Sequence, residues 1–358
     1  MDASPETQEI YSPVLLKAAS SLRNATTFPA DFVTWSAEER DGFVQFRREA
    51  RDFLRELGAA TPVPKGPSPK ATASPKARQR EAAPGRLLPL LLEEIRSDIG
   101  GRLLGDWRHL EEALHALSAL AKELLAAGFF SQQLLELHGL LLGERSPLLQ
   151  SGAHRQLISM FLQCAGVFGP LCVQDAALGD RLMTMARASL SIAEEVAAGP
   201  DAAFPFRAKQ DHNGAVTLMK LCQLGCPTLT RKECAEAVRA DLQQQLKLAL
   251  VSQPNLSPSS TLVLAQAAAA ATKAFPDVAS CCIRDCLDTA LGDPVRSSLS
   301  LRAAAELAAV AEASAVASAL EGAWHLLAQA AFDPASLALF LAKAARSLPG
   351  QVFLDDGV

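Results

Sequence analysis

An all-α fold, an α-solenoid of HEAT/ARM-like helix pairs, is what this sequence predicts, and three observations carry the expectation. The first is composition. Nearly half of the 358 residues (49%) are apolar, yet these are mostly Ala and Leu, with a single tyrosine and 5% aromatics. That supply suits helices and not a β-sandwich or barrel, which draws on Val, Ile, Thr and aromatics in alternation. The second is periodicity, clearest in the stretch WRHLEEALHALSALAKELLAAG, Trp107–Gly128. The third is punctuation: segments of about 12 to 22 residues end at Pro or Gly and fit paired-helix repeats of about 40 residues, although the period is irregular. A globular helical bundle is the alternative that the pattern leaves open.

In the Trp107–Gly128 stretch, Trp107, Leu110, Leu114, Leu117, Ala121 and Leu124 recur at steps of three and four, which lays one apolar stripe along a helix. Asp106 stands at the N-cap, Glu111 and Glu112 near the positive end, Lys122 near the negative end, and Gly128 offers a left-handed exit. Such a helix needs a neighbour to cover its stripe.

In chain order, 10–27 reads as a helix with Tyr11, Val14, Leu15, Ala18 and Leu22 on one face, broken by Phe28-Pro29. Ser36 and Glu39 have the spacing of a capping box and open a second helix. Its apolar face is Phe43, Phe46, Ala50, Phe53, Leu54 and Leu57, and its other face mixes Arg47, Arg48, Arg51 and Arg55 with Glu49, Asp52 and Glu56. From Thr61 to Gly85 six prolines and a basic, apolar-poor composition predict a disordered linker. Thr61-Pro62, Ser68-Pro69 and Ser74-Pro75 within it have the form of proline-directed kinase sites, beside the plainer reading of a solvated loop.

Helices resume over 87–99, 107–128, 131–142, 151–168 (closed by Gly169-Pro170) and 175–198. A second capping box at Thr230-Arg231-Lys232-Glu233 starts a helix to about Val251, followed by 259–275, 277–291, 295–312, 314–331 and 335–347. Asp293-Pro294 and Asp333-Pro334 each pair a cap with a proline suited to the first helical position. The organisation predicted is a helix pair over 1–60, the linker 61–85, continuing repeats over 86–350 and a tail over 351–358.

The bulk chemistry narrows the function classes. A net charge of −5 argues against wholesale nucleic-acid binding. Eight cysteines behind an acidic, polar amino terminus point to free thiols in a reducing compartment. No apolar run of membrane-spanning length occurs, so no membrane insertion is expected.

Catalytic signatures are sparse, and the expectation is a non-enzyme without cofactor or metal. No P-loop, dinucleotide fingerprint or paired metalloprotease histidines occur. Cys222/Cys226 and Cys282/Cys286 share a four-residue spacing that on a helix places two sulfurs on one face, which suits a soft metal but equally suits core packing. His109 and His115 flank Glu111-Glu112, the arrangement of a surface histidine beside helical carboxylates. Arg47, Arg48, Arg51 and Arg55 are the candidate partner contacts, able to grip an acidic group bidentately, beside the reading of a self-neutralised solvated face. Trp35, Trp107 and Trp324 read as core staples, or as partner anchors where exposed.

Three stretches resemble one family. These are FVTWSAEERDGFVQFRREARDFL after Phe28-Pro29, WRHLEEALHALSALAKE, and PVRSSLSLRAAAELAAVAEAS with FDPASLALFLAKAARSLP after it. They are similar to helix patterns of the importin-β superfamily of nuclear transport receptors, in its transportin-SR/importin-13 branch. The resemblance implies a stack of HEAT repeats that binds cargo proteins on its inner surface, responds to the GTPase Ran, meets nuclear-pore Phe-Gly repeats and works in both cytoplasm and nucleus. Receptors of that family are much longer, and their amino-terminal repeats carry the main Ran contact. The resemblance therefore implies a partial chain lacking the main Ran-binding repeats. A helical-repeat scaffold unrelated to transport is the alternative that composition supports equally.

Overall fold

The computed structural model describes residues 5–59, 87–102, 106–127, 131–143, 146, 148, 154–190, 210–226, 229, 232–251, 256–273, 275–321, 327 and 332–348. Among them lie fourteen α-helices and no β-strand. They are α1 (Pro5–Thr26), α2 (Ala37–Ala59), α3 (Leu87–Arg102), α4 (Trp107–Ala127), α5 (Ser131–Leu141), α6 (Arg155–Cys172), α7 (Ala176–Ala188), α8 (Gln210–Gln223), α9 (Lys232–Val251), α10 (Pro258–Thr272), α11 (Pro276–Gly292), α12 (Ser297–Ala308), α13 (Ala313–Leu320) and α14 (Pro334–Ser347). The 61–85 segment, the 351–358 tail, Gly128, Trp324 and the Thr230-Arg231 cap lie outside the described residues.

Local chemistry sets the helix ends. The Ser36 amide donates to Glu39 at 2.8 Å while the Glu39 amide donates back to Ser36 Oγ at 3.2 Å, the reciprocal cap expected from sequence. Asp106 accepts from the Arg108 amide at 3.1 Å, and Asp333 accepts from the Ser336 amide at 3.0 Å ahead of Pro334. Asp293-Pro294 behaves differently. Asp293 accepts from the Val295 amide within a turn, and α12 starts only at Ser297. Gly169-Pro170 does not close α6 either, because the helix runs on to Cys172. A proline in the last turn forfeits one backbone donor without breaking the turns before it.

The chain divides into two compact units, 1–178 with 197–209 and 179–196 with 210–358, so α2 and α3 share one unit across the 61–85 segment. Within each unit the helices alternate between two layers. In the first, α1, α3 and α5 pack in series, α2, α4 and α6 pack in series, and the pairs α1·α2, α3·α4 and α5·α6 join the layers. In the second, α8, α10, α12 and α14 form one layer and α9, α11 and α13 the other. This is the packing of a helical solenoid.

Side-chain links between next-but-one helices reveal the repeat length. Arg96 donates to Glu136 forty residues on, and Gln266 donates to Glu306 across the same interval. Ser298 meets Ser336 at a separation of 38 residues, and Gln243 donates to Asp285 at 42. Longer links in the first unit, Arg47 to Glu111 at 64 residues, Arg51 to Ser118 at 67 and Arg23 to Asp98 at 75, span the 61–85 segment. The irregular period of the sequence is thus a regular one with an insertion.

The first unit is organised around α4, but not as a one-sided helix. Every residue from Leu110 to Ala121 is buried, including Glu111, Glu112, His115 and Ser118. Helices α1, α2, α3 and α6 surround it. The stripe assigned to α1 is also corrected: Tyr11, Val14 and Ala18 are exposed, and the helix buries Ser12, Ala19, Arg23 and Thr26 instead. On α2, Ala50, Leu54 and Leu57 are buried while Phe46 and Phe53 are exposed. Phe28 and Phe32 form an aromatic core with the half-buried Trp35, Phe43 and Trp107, at ring separations of 4.9 to 6.3 Å.

Candidate protein-interaction site

The four arginines grouped on α2 by sequence do not act together. Arg48 and Arg55 are exposed, and Arg55 pairs at 3.0 Å with Asp52 on its own helix, as a solvated face would. Arg51 is half-buried and donates to Ser118 on α4 at 3.3 Å. Arg47 is only 3% exposed. Its guanidinium donates to Glu111 at 2.7 Å and lies 4.1 Å over the Phe28 ring, so it is unavailable to a partner.

Sequence reasoning missed what these arginines reach, a buried charge network centred on α4. Glu111 accepts from both Arg47 and Gln156 (2.8 Å), which ties α2, α4 and α6 together. In the other layer Arg23 forks onto Glu112 with two bonds of 3.1 Å and donates to Asp98 at 2.8 Å. Burial would lower the Arg23 guanidinium, but Glu112 and Asp98 outweigh it and leave it raised. Burial lifts the Glu112 carboxyl above the usual range while Arg23 pulls it back. His115, read from sequence as a surface residue, is held neutral: burial first, then Arg47 and Arg51, push it well below an ordinary imidazole. A visible signal existed, since Glu111, Glu112, His115 and Ser118 are too many polar groups for one stripe when the flanking helices carry matching arginines.

His109 remains half-buried at the α4 start. Trp107 stacks on His154 at 3.6 Å and 7°, and His154 caps α6 through Nδ1, which accepts from the Gln156 amide. His138 is buried with Nδ1 2.7 Å from the Leu134 carbonyl. Of the cysteine pairs, Cys282 and Cys286 share the buried face of α11, whereas Cys222 and Cys226 do not share a helix. Cys222 lies in α8, whereas Cys226 follows Gly225 (φ 67°), whose left-handed turn lets the Cys226 amide donate to the Leu221 carbonyl. Cys222 and Cys282 are buried and their thiols are pushed up to about 12 by burial. Cys281 is exposed. No cluster of three metal-ligating side chains occurs among the described residues.

The second unit presents a different feature. In α8, α10 and α12 a narrow strip is incompletely buried, α14 buries only Ser336, Phe340 and Ala344, and side-chain links set the four helices in register. Glu306 of α12 accepts from Gln266 of α10 at 3.1 Å and from Lys343 of α14 at 2.6 Å, forming a polar row across three helices. The α8–α10 link of Asp211 to the Ser257 amide, 46 residues apart, sets Lys220 on the same row. One turn earlier, Val216, Leu262, Arg302 and Leu339 form a second, mainly apolar row. An apolar row beside a polar one, running across helix axes, is a surface an extended polypeptide can follow.

No protein-family model matches this chain, and no curated protein matches it. Among the described residues no helix is long and apolar enough to cross a membrane.

Proposed function

We propose that this chain is a protein-binding helical-repeat solenoid, and that it works as a nucleocytoplasmic transport receptor of the importin-β type or as part of one. The observation that carries the first half is the paired row of strips on α8, α10, α12 and α14, where side chains from four successive repeats face one surface. A solenoid binds through such surfaces because each repeat contributes a few side chains to one extended partner. The receptor half is supported by the three resembling stretches, which fall on α2, α4 and α12 to α14. Its work would be partner exchange, driven by differing affinity of partner and effector for alternative curvatures of the stack.

The test uses the full-length protein against immobilised Phe-Gly repeat peptide, with GTP-loaded Ran as a second ligand, and fluorescence imaging in cells. The receptor reading expects Phe-Gly binding and accumulation at the nuclear envelope, with weak Ran contact from this chain alone. Absence of Phe-Gly binding together with a diffuse distribution would leave the unrelated scaffold as the better reading.

A further inference from the structure

The charges of the second unit are shared unevenly between its layers, and the even layer carries most of the cations that form no ion pair among the described residues. We infer that this even-layer face takes an acidic, apolar-containing segment of another protein in extended form; the inference rests on the reading of the chain as a protein-binding solenoid. Lys220 on α8, Lys273 just past the end of α10, Arg302 on α12 and Arg346 on α14 are exposed or half-buried, and none forms an ion pair among the described residues. The carboxylates around them are already engaged. Glu306 is held by Lys343 and Gln266, Asp333 caps α14 and lies in electrostatic reach of Arg302, and Asp211 accepts from the Ser257 amide. On the opposite layer carboxylates outnumber cations: Glu236, Asp277 and Asp288 are exposed on α9 and α11, beside Lys247, which pairs with Asp285, and Arg284, which donates to the Ser318 carbonyl. A chain of net charge −5 has thus kept a cationic surface on the layer that also carries the apolar row.

The geometry sets the length of the segment. Adjacent packed helices stand about 8 to 10 Å apart, and an extended chain advances about 3.3 Å per residue, so one helix is crossed about every three residues. Four helices accommodate about nine to ten residues. The apolar side chains of such a segment meet Val216, Leu262 and Leu339 along the row, and its carboxylates meet Arg302 within that row and Lys220 one turn on. A basic segment meets the same cations unfavourably, which gives the face a sign preference as well as a shape.

Fluorescence anisotropy of the full chain tests this, with a fluorescein-labelled peptide of four Asp-Leu-Glu repeats and a matched peptide of four Lys-Leu-Arg repeats. The acidic peptide binds, the basic one does not, and binding weakens steeply with salt. Lys220→Glu combined with Arg302→Glu lowers acidic-peptide affinity about tenfold or more, since both charges invert on or beside the apolar row. Arg302→Glu weakens it on its own, and Asp288→Lys on the opposite layer leaves it unchanged. Equal binding of both peptides, or affinity indifferent to the double reversal in a variant with unaltered circular dichroism, overturns the inference. Phe-Gly binding is measured on the same variants. Its retention when the acidic peptide fails confines the failure to this inference, and its absence alongside acidic-peptide binding counts against the receptor reading alone.

Discussion

Cutting the link between Arg47 and Glu111 has a cost that the surroundings of both groups allow to be worked out. Glu111 is fully buried and Arg47 nearly so, with the ion pair at 2.7 Å and Gln156 as a further donor to the carboxylate. Glu111→Leu strands a guanidinium among α2, α4 and Phe28, and Arg47→Met strands a carboxylate held only by an amide. Removing one partner of a buried pair costs about 3 to 5 kcal/mol, because the remaining charge is desolvated without compensation. Replacing both with apolar side chains removes that penalty and leaves the Gln156 amide unpaired, at about 1 to 3 kcal/mol. The double variant is therefore more stable than either single one, with a coupling of about 3 kcal/mol or more. Urea unfolding of the full chain followed by tryptophan fluorescence reads this, because Trp35 and Trp107 lie in the aromatic core beside Phe28. Costs that add within about 0.5 kcal/mol would refute the buried coupling of α2 to α4.

Other consequences are as specific. Gly214→Ala places a methyl group against Ser189 and 3.1 Å from the Ala186 carbonyl oxygen, backbone that cannot withdraw, and lowers stability by about 1 to 3 kcal/mol in a thermal melt. Ser257→Ala deletes the side chain that accepts from the Ser260 amide at the start of α10 and costs about 1 kcal/mol, whereas Ser257→Asp restores most of it. Because burial depresses His115, the unfolded chain takes up its proton first on acidification. Its contribution is constant above the ordinary imidazole range and is lost as pH falls below about 6.5, by up to about 1.4 kcal/mol per pH unit. The wild type should therefore lose stability relative to His115→Gln between pH 7 and 5, and parallel curves would contradict the burial of that ring. Burial also lowers His138, which adds in the same sense to both proteins, while the raised Glu112 acts oppositely in both and cancels from the comparison. In native thiol labelling the exposed Cys281 reacts before Cys222, Cys282 and Cys286.

The sequence carried the helices better than it carried their surroundings. Three- and four-residue periodicity together with caps located α2, α4 and α14 within a few residues, because those signals are local and the Ser36–Glu39 box is complete in itself. What surrounds a helix is set by neighbours distant in the chain. The periodicity of α4 singled out its Leu and Ala stripe, yet Arg23 and Arg47 on α1 and α2 also draw its carboxylates into the interior. The same cause misled the reading of α1, where burial of Arg23 turns the helix and leaves Tyr11 and Val14 outside. Gly225 was legible as a helix exit only by asking which residue tolerates a left-handed turn. The open rows on α8 to α14 were not legible at all. They depend on register between helices some 40 residues apart, which the insertion at 61–85 disguises in a search for a constant period.

The claim beneath all of this is that partners lie along the even-layer face of the second unit. A photo-crosslinking residue placed at Arg302, and separately at Asp288 on the opposite layer, interrogates it in the full chain inside cells. The account predicts discrete protein adducts from position 302 that acidic peptide competes away in lysate, and few from 288. Adducts from 288 in equal or greater yield, or from neither position, would contradict it.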